Sequence, residues 1–186
     1  MNILPREFYL QDTVTVAKKL LGKKIIRNIG KNQISGIIIE TEAYRHNDDP
    51  ASHAFKKITK RNKIMFGDVG KAYVYLIYGM YSCFNVVARD RKMEAGAVLI
   101  RAIKPEKGIK IMQKNRGVTN LQNLVNGPGK LAQALEITKK QYGVDLTKNS
   151  KLFITEGIKQ KKITASSRIG IKEGIDKLWN FKITIS

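Results

Sequence analysis

Glu40 and Glu42 stand two residues apart in the run I-I-I-E-T-E-A-Y at 37–44. Alternate side chains of an extended chain share a face, so both carboxylates and Tyr44 are expected to point the same way. The three isoleucines before them are continuously apolar and predict a strand buried on both sides. A carboxylate on such a strand can act as a general base that orients a water, or can pair with one of the chain's many lysines. A metal site is a third use, since Glu40, Glu42, His46, Asp48, Asp49 and His53 supply oxygen and imidazole donors. Their spacing fits no standard zinc motif, and no metal or other cofactor is expected. Arg101 lies in the apolar run V-L-I-R-A-I. A guanidinium there needs a carboxylate or a route to the surface. Glu42 is its expected partner, a pairing that holds a base in its ionised form.

Four of the seven tyrosines fall between Tyr73 and Tyr81, in A-Y-V-Y-L-I-Y-G-M-Y. Two aromatic and β-branched runs, 72–78 and 82–88, flank Gly79-Met80 and predict a β-hairpin. Tyr73, Tyr75 and Ile77 would face one way, and Val74, Leu76 and Tyr78 the other. Tyr73 and Tyr75 can be core residues whose hydroxyls reach polar partners. Tyr78 falls at the tip, where a large exposed ring is costly without a partner and is well placed to enter a base stack. Asn85 lies inside the second run, and a polar amide in a strand needs a hydrogen-bonding reason. Cys83 reads as a small buried hydrophobe, because no base stands at an obvious spacing from it.

Asp12 is a good N-cap for the stretch T-V-T-V-A-K-K-L-L. There Val16 with Leu20, and Ala17 with Leu21, fall at i, i+4 before Gly22. Strands are expected at 24–27, 34–41, 97–103 and 151–155. The final run W-N-F-K-I-T-I alternates, with Trp179, Phe181, Ile183 and Ile185 inward. One helix is expected to start at Pro105, with Ile109, Met112 and Gln113 at helical spacing. Another is expected to start at Pro128, with Leu131, Ala134 and Leu135 on one face. Residues 45–63 form a polar segment holding both histidines and the basic cluster K-K-I-T-K-R-N-K. A segment of that length without regular structure is commonly functional. The fold class is α+β: a single domain over residues 1–186 with one curved, mainly antiparallel sheet, helices packed around it and a protruding hairpin.

The 186 residues carry 35 Lys+Arg against 15 Asp+Glu, a net charge of +20. That excess calls for a polyanion, nucleic acid ahead of an anionic membrane surface. At 42% hydrophobic and 27% charged, the chain reads as globular and not disordered. Its single cysteine excludes an internal disulfide and a Cys-based structural zinc site. The first ten residues show no charged-then-apolar leader, and no apolar run reaches about 18 residues, so a cytoplasmic protein without membrane association is expected. Charge alone would suit a non-catalytic nucleic-acid binder, but such a protein has no use for inward carboxylates and a strand arginine.

Seven blocks follow one another along the chain. They are E-T-E-A-Y (40–44), a histidine nine residues after Tyr44, R-N-x-x-M-F (61–66), A-Y-V-Y-L-I-Y-G-M-Y-S-C-F-N (72–85), V-L-I-R-A (98–102), N-G-P-G-K-L-x-Q-A-L (126–135) and R-I-G-I (168–171). The set resembles the 3-methyladenine (alkyladenine) DNA glycosylase family over nearly the whole chain. The resemblance implies a monofunctional base-excision repair enzyme. It would flip a damaged purine (alkylated, with deaminated and etheno bases as further candidates) out of double-stranded DNA and hydrolyse the N-glycosidic bond to leave an abasic site. It makes Glu42 the base for the attacking water and Arg101 a group that helps hold that water. The backbone near Ile169 would be a further water contact. Tyr44, His53 and Tyr75 would line the pocket for the flipped base, and Asn85 would discourage normal guanine there. Tyr78 would fill the gap left in the duplex, with Met80 and Tyr81 beside it. No lysine nucleophile is implied, so no Schiff base or strand cleavage is expected. A monomer without an obligate protein partner is expected, and Glu40 receives no role.

Overall fold

Strand β2 (Asn32–Arg45) is the long central strand of the computed structural model, which describes residues 2–159 and 162–185. Before it come α1 (Arg6–Tyr9), α2 (Thr13–Leu20) and β1 (Lys24–Ile29). After it come β3 (Ala72–Ile77), β4 (Tyr81–Val87), β5 (Gly96–Lys107), α3 (Ile109–Arg116), α4 (Pro128–Ala134), β6 (Leu152–Thr155), β7 (Thr164–Ser166) and β8 (Asn180–Lys182). The strands form one antiparallel sheet in the order β3-β4-β5-β2-β1-β6, an α+β architecture. One edge of β2 pairs with β5 throughout. The other edge is shared, residues 32–37 pairing with β1 and residues 40–42 with β8, which also pairs with β7. The β2–β5 register shifts between Ser35 and Gly36 and on either side of Glu40. Such bulges bend a strand and increase its twist, so the sheet curls at the point where β8 replaces β1.

The period of two then sorts side chains onto two faces. Tyr73, Tyr75 and Ile77 of β3, Cys83 and Asn85 of β4, Ala97, Leu99 and Arg101 of β5, and Tyr44 of β2 line a cavity on one face. Val74, Phe84, Val86, Val98, Ile100 and Ala43 point the other way, into the main core. Helix α2 closes that core. Its Asp12 cap accepts from Thr15 N at 3.0 Å, and Val16, Ala17 and Leu20 are fully buried. Each large apolar side chain buried this way contributes about 1.5–3 kcal/mol. The polar groups that packing would strand are satisfied: Thr41 Oγ1 donates to Ala17 O at 2.8 Å and Thr13 Oγ1 to Ala88 O at 2.9 Å. Helix α4 buries Leu131, Ala132 and Ala134 and starts beside the hairpin. A Cβ on Gly129 would sit 3.2 Å from Tyr81 Cβ, so a larger residue here would push the Tyr81 side chain by a few tenths of an ångström.

Two expectations are corrected. Pro105 does not open a helix; it lies within β5, opposite Gly36, and α3 starts at Ile109 after Gly108 at φ 76°. The ladder with β2 continues to Lys107, while β4 pairs only with residues 97–99, so Pro105 sits at a bulge beside an open edge, where a missing N–H is tolerated. The final run is ordered as a strand only at Asn180–Lys182. Phe181 and Ile183 are buried as expected, but Trp179 and Ile185 are half-buried, and the intervening Asn180 is completely buried. Among the described residues no helix is long and apolar enough to cross a membrane.

Candidate active site

Position 42 brings four donors onto one buried carboxylate. Glu42 is fully buried, and its Oε2 accepts from the Tyr44 hydroxyl at 2.8 Å and from Arg101 Nη1 at 3.3 Å. Its Oε1 accepts from the Ile169 backbone N–H at 2.8 Å and from Asn180 Nδ2 at 3.0 Å. A carboxylate offers about four lone-pair sites, so every one is taken. The expected pairing of Arg101 with Glu42 is present but shared: Arg101 Nε also donates to Glu40 Oε1 at 3.0 Å. Glu40 Oε1 further accepts from Asn180 Nδ2 at 2.9 Å and lies 3.4 Å from Lys182 Nζ. The register explains the convergence, because Glu42 lies opposite Leu99 of β5 on one side and Asn180 of β8 on the other.

The cavity in front of this cluster has a volume of about 190 Å³. That is below the size of common small-molecule pockets and suits a single planar ring system. Tyr44, His53, Tyr73, Tyr75, Asn85 and Arg101 supply its polar lining, with Met65, Leu99 and Ile171 among its apolar walls. Burial, reinforced by Glu42 at its hydroxyl, raises Tyr44 well above the usual phenol range, so it remains an O–H donor. Burial also raises Tyr73 and Tyr75, and it raises the Cys83 thiol, in keeping with an inert small hydrophobe. His53 Nδ1 lies 2.9 Å from the Tyr73 hydroxyl, and its ring meets that of Tyr75 edge-on at 4.6 Å. Loss of solvent, then the nearby Arg61 guanidinium, pull His53 down to about 4, although its outer edge meets water that screens the effect. Asn85 is held by Nδ2 donating to Tyr73 O at 3.1 Å.

The long 45–63 segment is pinned in place. Asn62, buried, donates through Nδ2 to His53 O at 2.6 Å and to Lys57 O at 2.9 Å. Asp49 is fully buried and forms a two-pronged pair with Arg168, both contacts at 2.6 Å. Arg168 also donates to Ala43 O at 2.9 Å and stacks on the Tyr44 ring at 4.7 Å and on the Trp179 ring at 5.3 Å. It thereby fixes the loop that presents Ile169 N–H to Glu42. Among the described residues, no three His, Cys, Asp or Glu side chains gather closely enough to hold a metal ion.

Tyr78, Met80 and Tyr81 are not in the cavity but on the tip of the β3–β4 hairpin. They are 85%, 69% and 47% exposed, an apolar cluster open to solvent. Tyr78 and Gly79 both have positive φ, 53° and 71°. A left-handed backbone at an L-residue costs about 1–2 kcal/mol, so the tip holds its ring outward against a local preference.

Asn180 receives no role from the sequence, Arg168 enters only within the R-I-G-I block, and Asp49 enters only as a possible metal donor rather than as the partner of Arg168. Asn180 sits between inward-facing residues and reads as an outward position. Like Asn85, it is an amide in a strand that needs a hydrogen-bonding partner, and that is the local signal it carries. Arg168 and Asp49 are 119 residues apart, and no local pattern signals their pairing.

The family description "Methylpurine-DNA glycosylase" matches residues 7–186. A protein of Carboxydothermus hydrogenoformans is 46% identical over 96% of this chain and 94% of its own length. One from Methanocella arvoryzae is 44% identical over 97% and 92%, and one from Prosthecochloris aestuarii 44% over 96% and 86%. All three carry the name "Putative 3-methyladenine DNA glycosylase".

Proposed function

The chain belongs to the methylpurine-DNA glycosylase family and is a monofunctional DNA N-glycosylase of alkylated-base repair, and from that premise we propose how its site works. A damaged purine leaves the duplex and enters the cavity between Tyr44, His53 and Tyr75. Extrusion costs a few kcal/mol, least for a damaged or mispaired base. Tyr78 enters the vacated stack, recovering about 1–3 kcal/mol of base–aromatic stacking. The exposed tip cluster of Tyr78, Met80 and Tyr81 supports this reading. Asn85, anchored on the cavity wall, opposes the exocyclic amine of normal guanine.

Glu42 is the general base. The single observation that carries this is a fully buried carboxylate, ringed by four donors, behind an aromatic cavity. Oε2 is held by two cavity-lining side chains, Tyr44 and Arg101, whereas Oε1 is held by a backbone N–H and by Asn180 outside the cavity, so Oε2 is the working oxygen. Of the two donors to Oε2, the Tyr44 O–H can turn away without breaking an ion pair. A water takes its place on Oε2, with Arg101 alongside. The water oxygen bonds to the sugar C1′ while the C1′–N bond breaks and its electron pair moves onto the purine. Glu42 accepts the water's proton and, before that, its charge steadies the oxocarbenium-like sugar. An alkylated purine carries a positive charge that the departing pair neutralises, so that base leaves without an acid. Electron-rich tyrosine faces favour the same cation. The enzyme acts as a monomer on double-stranded DNA in the cytoplasm, at the nucleoid in a bacterial cell.

The test is release of free base from duplex DNA bearing one hypoxanthine or ethenoadenine, or from methylated DNA, with EDTA present. Glu42→Gln is expected to abolish release while DNA binding persists. Full release by Glu42→Gln on every substrate refutes the assignment.

A further inference from the structure

Glu40 and Glu42 place two carboxylates on the same face of β2, and among the described residues only one strongly held cation lies between them, Arg101. Like charges at this spacing repel, and each buried anion needs hydrogen bonds to remain ionised away from water. Lys182 reaches only Glu40, at 3.4 Å, with half its side chain in solvent. The gap is filled by Asn180. Its Nδ2 donates to Glu40 Oε1 at 2.9 Å and to Glu42 Oε1 at 3.0 Å, so both of its N–H groups serve carboxylates. Ser166 Oγ stands 3.5 Å from Asn180 Oδ1, on the far side of the amide. Asn180 is completely buried and does not line the cavity.

We propose that Asn180 is a positioning residue that clamps Glu42 Oε1 to Glu40, leaving Oε2 turned to the cavity, and does so without adding a charge. This rests on the reading of Glu42 as the base. An amide suits the task because a third carboxylate would repel both partners. A second buried cation would instead hold Oε1 as a tight ion pair and weaken the base. The groups facing Glu42 are Glu40 and Tyr44 from β2, Arg101 from β5 and Cys83 from β4, with Lys182 of β8 acting through Glu40, and Arg168, paired to Asp49, acting through the Tyr44 ring that it covers. None supplies a second neutral donor shared by the two carboxylates.

The experiment measures single-turnover release of hypoxanthine from duplex DNA against pH for Asn180→Asp, Asn180→Ala and Asn180→Asp/Glu40→Gln, with folding checked by thermal unfolding. Asn180→Asp is expected to move the acidic limb of the rate profile upward by about one pH unit or more, with KM within about threefold. Glu40→Gln in the same chain removes one carboxylate and is expected to bring the limb back toward the parent. Asn180→Ala is expected to lower the rate about tenfold or more at unchanged KM. A folded Asn180→Asp with an unmoved limb overturns the proposal, as does an Asn180→Ala loss below tenfold. If Asn180→Asp fails to fold, Asn180→Ala decides alone. These failures are separable from failure of the base assignment, which appears as retained release by Glu42→Gln.

Discussion

Replacing Arg168 with methionine tests whether the buried pair with Asp49 holds the site together. Both side chains have no exposure, and both contacts are 2.6 Å. Removing one member of such a pair leaves an uncompensated buried charge, which costs about 3–5 kcal/mol. Methionine fills much of the arginine stem volume and can lie on the Tyr44 ring, so the loss is mainly electrostatic. For a domain of this size about 2–4 °C of Tm accompanies each kcal/mol, which gives a fall of roughly 6–20 °C. Asp49→Asn is the discriminating second change. In the parent chain it strips the partner from a buried guanidinium and destabilises. In the Arg168→Met chain it removes the stranded charge and is expected to recover about 2 kcal/mol, because the asparagine oxygen still accepts from the backbone at Arg45 or Ala51. A double-mutant cycle by urea unfolding at neutral pH measures this change of sign. An Arg168→Met cost below about 1 kcal/mol, or an Asp49→Asn effect of the same sign and size in both backgrounds, would show that this pair does not hold the site together. Base release should also fall in Arg168→Met, because Ile169 N–H, one residue on, is a donor to Glu42.

At the hairpin tip, Tyr78→Gly removes the ring and relieves φ 53° together. Stability should hold or rise by about 1 kcal/mol, while lesion-specific binding falls roughly 5- to 150-fold, the equivalent of about 1–3 kcal/mol of stacking; unchanged lesion affinity argues against insertion. His53, pulled down to about 4, should titrate by NMR with a midpoint well below the ordinary value of about 6.5. Between those two values the unfolded chain binds the extra proton, so this residue's contribution to stability is complete above about 6.5 and fades as pH falls toward 4; a midpoint at or above the ordinary value contradicts the desolvated placement. With a net charge of +20, duplex affinity should drop about tenfold or more between roughly 50 and 200 mM salt, and a flat response would show that phosphate contacts are not the main source of binding.

Much of this molecule is written in short-range patterns. The i, i+2 spacing of Glu40, Glu42 and Tyr44, the ladder of Tyr73 and Tyr75, and the Asp12 cap followed by Val16 and Leu20 each follow from a period of two or 3.6, which covalent geometry imposes on any chain in that conformation. The aromatic tip at Tyr78 is legible for the same reason, since a hairpin must turn where its two runs meet. Pro105 misled because a first-turn helix preference is local, while the strand that overrode it is held by β2, some seventy residues earlier.

Only the tertiary structure decided which carboxylate is sealed and by what. Glu42 and Glu40 look alike in sequence, yet Glu42 takes donors from positions 101, 169 and 180 while Lys182 and a share of Arg101 and Asn180 fall to Glu40. Those partners meet because bulges in β2 curl the sheet, β1 leaves its edge, and β8 takes over opposite residues 40–42. Contacts separated by 59 to 138 residues depend on chain closure and register, and no local period encodes either. The sequence therefore determined which side chains share a strand face, and the closure of the sheet determined which of them share a proton-accepting site.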